Sequence, residues 1–301
     1  MKFVYGIMAH AGHAQLHALL DRLSADAEPG DRIVLHLDRR SSLWRNNRDE
    51  FANHPSGIVE LVEHPAAVIW GHHSQVTAQV RMLDAALSAP FDYYHLISGV
   101  DWPIASRATM ARDIAASPVN RPAYARIWGE ADQQRMQHWW FDERKFRSVQ
   151  FPRLAENVER AQTRLSWLAS DWWNSAGLAR STYHGGPWVK GSSWYSLPYD
   201  IAETVRTDAR RLLASGRLRF TQCCDEHVVP TILARRFGDR IEADRRYIDW
   251  AAGGYHPKVL CREDAPAISA SMAWFARKFD MNMDDFFLRP GAFANSVRIS
   301  E

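Results

Sequence analysis

The first 125 residues alternate short apolar runs with longer amphipathic ones, a rhythm that predicts a parallel sheet covered by helices. Phe3–Ala9 reads as a strand, and Leu16, Leu19, Leu20 and Leu23 recur at helical spacing across 14–23. A second strand follows at 33–37, after the Pro29-Gly30 turn. Next come a helix over 43–51 and a strand at 58–62. A helix over 76–87 then keeps Val76, Val80, Leu83 and Leu87 on one face, with Ser74 as its cap. A fourth strand at 94–97 ends on Ser98-Gly99. Elements in this order form a nucleotide-binding type of architecture, with ligands at the carboxyl ends of the strands.

Between Trp128 and Trp188 the rhythm fails. Trp128, Trp139, Trp140, Trp167, Trp172, Trp173 and Trp188 stand there among basic residues such as Arg144, Lys145 and Arg147. Tryptophans in such segments are expected to pack internally. Regularity returns with a strand at 193–197, a helix over 198–215, a helix over Asp225–Arg236 and a loop-rich tail. No repeat, low-complexity tract or linker-like run divides the chain, so one domain over 1–301 is expected.

Composition narrows the classes. The chain has 301 residues and 46% apolar content, enough for a sizeable core, which excludes disordered and fibrous proteins. Lys plus Arg number 37 against 35 Asp plus Glu, a net charge of +2 that argues against a nucleic-acid partner. Three cysteines, Cys223, Cys224 and Cys261, build no disulfide framework, so a reducing, cytoplasmic location is expected. The apolar run at the start is too short for a signal peptide, and no run approaches membrane-spanning length. Membrane association is therefore expected to be peripheral at most, at the inner face. Tryptophan and histidine, 13 of each, are clustered, a first hint of a substrate-binding enzyme.

Several chemistries lose their usual signatures. The chain has no G-x-x-x-x-G-K-[ST] loop, no G-x-G-x-x-G after a strand, no G-x-S-x-G elbow and no H-E-x-x-H helix. Asp-x-Asp, the carboxylate pair that many nucleotide-sugar transferases use to hold a divalent ion, is absent as well. A diphosphate would have to be met by side-chain cations. Neighbouring histidines such as His72-His73 should diverge on a helix or strand, so no metal ligand is assigned.

Three places concentrate polar groups at element ends. His36-Leu37-Asp38-Arg39-Arg40 follows a buried strand, and is either a ligand-facing or a merely solvated exit. Ser98-Gly99-Val100-Asp101-Trp102-Pro103 holds an acid in a tight turn, where Asp101 serves a site or caps the helix beginning near Ser106. Cys224-Asp225-Glu226-His227 puts two carboxylates at a helix start; capping by Asp225 accounts for one and leaves Glu226 without a structural task. Further on, His256-Pro257-Lys258 and Phe275-Ala276-Arg277-Lys278-Phe279-Asp280 set cations beside apolar frames, suited to a phosphate or to an ordinary surface.

In order, these segments resemble the core-2/I-branching enzyme family of glycosyltransferases, which includes the peptide O-xylosyltransferases. The matching stretches are LHLDRRS at 35–41, VIWGHHSQVTAQVRML at 68–83, YYHLISGVDWPI at 93–104 and WVKGSSWYSLPYDIAETV at 188–205. CDEHVVPTIL at 224–233, RYIDW at 246–250, HPKVL at 256–260 and FARKFD at 275–280 complete them. The resemblance spans about four-fifths of the chain. It implies a GT-A type α/β fold, a mixed and mostly parallel sheet flanked by helices, and an inverting transferase that needs no divalent metal or other cofactor. It also implies a UDP-sugar donor and a glycan or glycoconjugate acceptor.

Carried over residue by residue, Glu226 matches the catalytic base of the family's Asp-Glu motif, and Lys258 and Lys278 match positions that neutralise the donor diphosphate. Asp38, Arg277 and Asp101 join the donor group, while Trp250 and Tyr247 of RYIDW fall on the acceptor side. Trp70, Trp102 and Trp194 lie inside motifs and are assigned to the scaffold. On this basis 1–125 is the nucleotide-sugar-binding half, 126–190 a variable acceptor-side segment and 191–301 the catalytic and diphosphate-binding half. The larger branch implies UDP-N-acetylglucosamine, with UDP-xylose as the alternative donor. Other classes remain open: a glycan-binding module on a transferase scaffold, or a metal-dependent hydrolase using the histidine clusters.

Overall fold

Alternation along the first strand decides what each side of the sheet must bury. In the computed structural model, which describes residues 1–141, 152–178, 180, 183, 186–251, 256–289 and 292–293, β1 (Phe3–Ala9) is almost wholly buried. Phe3, Tyr5 and Ile7 turn to one core, and Val4 turns to the other. The neighbouring β2 (Arg32–Leu37) does the same, with Ile33, Leu35 and Leu37 on the first side and Val34 on the second. A sheet buried on both faces needs helices on both, and the chain supplies them.

The remaining strands are β3 (Val59–Leu61), β4 (Tyr93–Ser98), β5 (Asp101–Pro103), β6 (Ala123–Gly129), β7 (Lys190–Pro198), β8 (Ile241–Glu242), β9 (Arg246–Ile248) and β10 (Phe275–Arg277). The helices are α1 (His13–Ala25), α2 (Arg48–Ala52), α3 (Ser74–Ala86), α4 (Arg107–Ala115), α5 (Gln134–Gln137), α6 (Pro152–Ser175), α7 (Tyr199–Ala214), α8 (Asp225–Arg236) and α9 (Ala265–Ala270). A π-helical turn over Leu43–Asn47 leads into α2. The large sheet has seven strands in the order β3-β2-β1-β4-β7-β6-β8, and β5-β10-β9 form a small second sheet. Strands β3 to β4 are parallel; β7 runs antiparallel to both β4 and β6, so the sheet is mixed, as expected.

Two expectations shift. The expected boundary at 125 falls inside β6, because the sheet recruits the start of the Trp-rich stretch to pair with β7. The tryptophans of that stretch also divide. Trp188 is fully buried, whereas Leu165, Trp167, Leu168 and Trp172 leave an apolar stripe of α6 exposed. Arg144, Lys145 and Arg147 lie outside the described residues.

Smaller corrections concern helix starts. His73, not Ser74, holds the N-cap position of α3; Ser74 lies inside the helix and its Oγ accepts from the Ile69 N–H at 2.9 Å. Likewise α4 is capped by Ser106, whose side chain accepts from the Thr109 N–H, which frees Asp101 from that task.

Close packing at the sheet centre depends on Gly6. A Cβ there would run into the buried Tyr94 ring, with Cε2 at 2.6 Å. Gly6→Ala should therefore cost about 1–3 kcal/mol through overpacking. A lower midpoint of urea denaturation would report it, and an unchanged midpoint would show that the Tyr94 ring moves aside freely.

Candidate active site

Gly191 sets how closely α8 approaches the sheet. A Cβ at this position would collide with the Arg126 carbonyl oxygen and come within 2.8 Å of the Pro230 ring, so α8 can lie against β7 only over a glycine. That approach brings the first turn of α8 to the next residues of β7. Ser193 Oγ donates to Asp225 Oδ2 at 2.7 Å, and Gln75 Nε2 on α3 donates to the same oxygen at 3.3 Å. Asp225 does not cap the helix, contrary to expectation. Cys224 holds that position with no side-chain hydrogen bond, and Asp225 turns inward to β7 instead.

Burial, above all, pushes the Asp225 carboxyl up to about 6 from its usual 3.8. The sign follows from linkage. Between about pH 4 and 6 the folded chain keeps a proton that the unfolded chain has released, so this group makes stability fall as pH rises through that window. Asp225→Asn should remove that fall. The stability difference between variant and parent, from urea titrations, should grow from pH 4 to 6 and then level; a flat difference would contradict the burial argument.

Glu226 points to different partners. Its Oε2 receives Arg135 Nη1 from α5 at 2.6 Å, with Lys190 Nζ from the start of β7 at 3.9 Å. Asp132 ties the two cations together: it pairs with Lys190 and lies 3.6 Å from Arg135 Nε. The hydrogen bond from Lys190 holds the Asp132 carboxyl below its usual range. Among the described residues no group hydrogen-bonds to Glu226 Oε1, and the side chain is 33% exposed. One oxygen is anchored while the other is available to a substrate proton. Next to it His227 is buried, and burial with the nearby Arg135 and Lys190 lowers its imidazole to about 4, so it is neutral at pH 7.

The residue after Ser193 reaches the opposite end of the site. Trp194 stacks under the Arg277 guanidinium at 4.2 Å, and Arg277 Nε lies 3.4 Å from Asp101 Oδ1. Asp101 itself accepts from the Ser98 N–H at 3.0 Å and the Ser98 hydroxyl at 2.6 Å. It is buried with both oxygens engaged inside the protein, one of them beside Arg277, the neighbouring member of the expected donor group.

The small sheet gathers the other expected residues. Tyr247 pairs with Ala276 and Ile248 with Arg277. The Lys258 N–H donates to the Asp249 carbonyl, and the Leu260 N–H to the Lys278 carbonyl, each at 2.8 Å. Tyr247, Trp250, Lys258, Arg277 and Lys278 thus sit on adjoining segments. Lys258 Nζ is already paired with Asp264 at 2.6 Å, a hydrogen bond that raises its amine above the ordinary lysine value. Lys278 has no ion pair among the described residues. Trp250 is 47% exposed, as a platform must be, whereas Tyr247 is half-buried against the core.

The loop before α3 spans both groups. Gly71's carbonyl accepts the Cys223 N–H at 2.7 Å, next to the start of α8, while the Trp70 ring lies 6.4 Å from that of His256. Trp70 is 62% exposed, so it is not the scaffold residue expected, unlike the buried Trp102. His72 and His73 also depart from expectation: in the bend preceding α3 their rings approach to 3.8 Å instead of diverging. Asp38 stands at the end of β2, its Oδ1 accepting the N–H groups of Arg40 and Val68. Because β2 and β4 flank β1, Asp38 and the Ser98-Gly99-Val100 turn that leads to Asp101 follow the carboxyl ends of strands on either side of it. No contact among the described residues joins Asp38 to Lys258 or Lys278.

Asp132, Arg135 and Lys190 form the part of the site that sequence reasoning missed. Only Lys190 carried a signal, its place in WVKGSS; Arg135 lies 91 residues from Glu226 and has no local mark.

The anchored Glu226 carboxylate and the cations of the small sheet are thus joined through Ser193 and Trp194 of β7. The chain matches the Core-2/I-Branching enzyme family over residues 3–267 and belongs to that family of glycosyltransferases. Its sheet, mixed and flanked by helices, agrees with the fold expected of it. No curated protein matches the chain. Similar solved structures include a galactosyltransferase, LgtC, in complex with donor and acceptor sugar analogs, at 10% identity and a TM-score of 0.42, covering 92% of this chain and 87% of that one. Mouse xyloside xylosyltransferase 1, apo form, is 13% identical with a TM-score of 0.40, covering 85% and 91%. Among the described residues no helix is long and apolar enough to cross a membrane.

Proposed function

We propose that the protein is an inverting glycosyltransferase that moves a sugar, N-acetylglucosamine in preference to xylose, from UDP to a glycan hydroxyl without a divalent metal. The observation that carries this reading is one run of contacts: Glu226 follows Asp225, Asp225 binds Ser193, the adjoining Trp194 carries Arg277, and Asp101 holds Arg277 in place. It connects a proton-accepting carboxylate to the cations of the small sheet through a single strand.

The reaction follows from this layout. The acceptor hydroxyl attacks the anomeric carbon from the face opposite UDP, and its proton passes to Glu226 Oε1 as the new C–O bond forms. The bond to the diphosphate oxygen breaks and its electron pair leaves with UDP. Lys278 and Arg277 stabilise the charge that develops there, with Lys258 available once it exchanges Asp264 for phosphate. Trp250 offers an exposed face to the apolar side of an acceptor ring. Arg135 and Lys190 keep Glu226 Oε2 still, so Oε1 has a defined position.

Thermal unfolding with UDP, UDP-N-acetylglucosamine and UDP-xylose in EDTA tests the donor half. Ligand at a hundred times its Kd should stabilise the fold by about 2.7 kcal/mol. Protection by UDP-xylose alone would change the donor, no protection by any of the three would overturn the reading, and protection that required added Mg2+ or Mn2+ would overturn metal independence.

A further inference from the structure

Away from the carboxylate and the cations just described, α1 and the segment after α2 present a second polar cluster. His17 and Asp21 are four residues apart on α1 and share a face. His54 comes up against them from the end of α2: its Nε2 lies 3.3 Å from Asp21 Oδ1, and His17 Nδ1 lies 3.1 Å from Asp21 Oδ2. One ligand atom from each of the three falls within 4.8 Å of the others. His54 is 5% exposed, and its shielded Nε2 has the Asp21 carboxylate, at 3.3 Å and short of hydrogen-bond geometry, as its polar neighbour.

We propose that His17, Asp21 and His54 bind one divalent transition-metal ion, zinc before others, that clamps α1 to the 48–54 segment. Two imidazoles and one carboxylate are a zinc-type set, whereas magnesium and calcium favour all-oxygen ligands. Ligand atoms around a tetrahedral zinc with bonds of roughly 2.1 Å stand about 3.4 Å apart; here the two rings meet different Asp21 oxygens, and one atom from each residue falls within 4.8 Å, so the side chains close in slightly on binding. The surroundings orient the rings. His54 Nδ1 is 2.9 Å from Ser56 Oγ and 3.4 Å from the Ser56 backbone N–H; a metal on Nε2 requires the tautomer in which Nδ1 donates to the hydroxyl, at the expense of the longer backbone contact. Phe51 packs against the rings of His17 and His13, and His13 is in turn held by Glu50. Asp21 is 58% exposed on its side chain, so water can complete the fourth position.

The ion's task would be structural. Gln15, on the same helix, donates to the Phe279 carbonyl and accepts the Met281 N–H, which fastens α1 to the segment just beyond Lys278. Fixing α1 fixes that segment.

Untagged protein, stripped with EDTA and dialysed against zinc chloride, should retain one zinc per chain by elemental analysis and unfold at a higher temperature; magnesium chloride should do neither. His17→Ala, at a half-buried position, and Asp21→Asn, at an exposed one, should lose that equivalent and bind at least about tenfold more weakly, while His138→Ala, an exposed histidine elsewhere, keeps it. Cobalt in place of zinc should show the visible absorption of a tetrahedral site in the parent and not in His17→Ala. Zinc retained equally by His17→Ala and the parent, or not retained by the parent at all, would overturn the proposal. Sugar transfer assayed well below the unfolding temperature should survive EDTA, which separates this clamp from the chemistry of transfer; transfer abolished by EDTA and restored by zinc would contradict a structural role.

Discussion

Glu226→Gln is expected to lower sugar transfer by about 10²–10⁴-fold, the range of a positioned general base. Glutamine keeps the shape and can still accept from Arg135, so folding and donor binding should hold. What it loses is the capacity of Oε1 to take a proton. The loss should therefore appear in kcat, with UDP protection against thermal unfolding unchanged. UDP release measured over a series of enzyme concentrations makes the distinction. Turnover within tenfold of the parent would remove Glu226 as base, and lost UDP protection would show that its role lies in donor binding.

The second large effect concerns stability. Asp31 is buried at the sheet's amino edge, where Oδ1 accepts the Phe3 N–H at 2.8 Å and Arg107 Nη2 at 3.1 Å, and Oδ2 accepts the Glu28 N–H at 3.0 Å. Arg107 is nearly as buried and also pairs with Glu28 at 2.8 Å. Cutting one partner from such a pair strands the other charge and two backbone donors, so Asp31→Ala should cost about 3–5 kcal/mol. Asp31→Asn, which keeps an acceptor, should lie between variant and parent. Urea denaturation monitored by fluorescence reads both, and a cost below about 1 kcal/mol for the alanine would mean that water replaces the lost partner.

Legibility in the sequence followed the length of the repeating pattern. Strands β1, β2, β4 and β7 announce themselves because each is a run of at least six residues, most of them buried. Strands β5, β9 and β10 have three residues each, too few for a period to show, and their pairing was invisible. The site divides similarly. Asp225 and Glu226 stood out because two carboxylates at a helix start exceed what a cap needs, although the capping role given to Asp225 was wrong. Arg135 could not be found, since a guanidinium in a four-residue helix gains meaning only when the chain folds it onto Glu226. Trp70 shows the converse limit: a motif tells that a residue matters, not whether it faces core or water.

The bond from Gln15 to the Phe279 carbonyl bridges 264 residues of sequence. At synthesis rates of 5–20 residues per second, roughly 10–50 s separate the emergence of its two ends from the ribosome. During that interval α1 and the first strands exist without the segment that carries Lys278. If Lys278 belongs to the donor site as proposed, the nascent chain has no complete site to occupy, and a nucleotide sugar could reward folding only after nearly the whole polypeptide has been made.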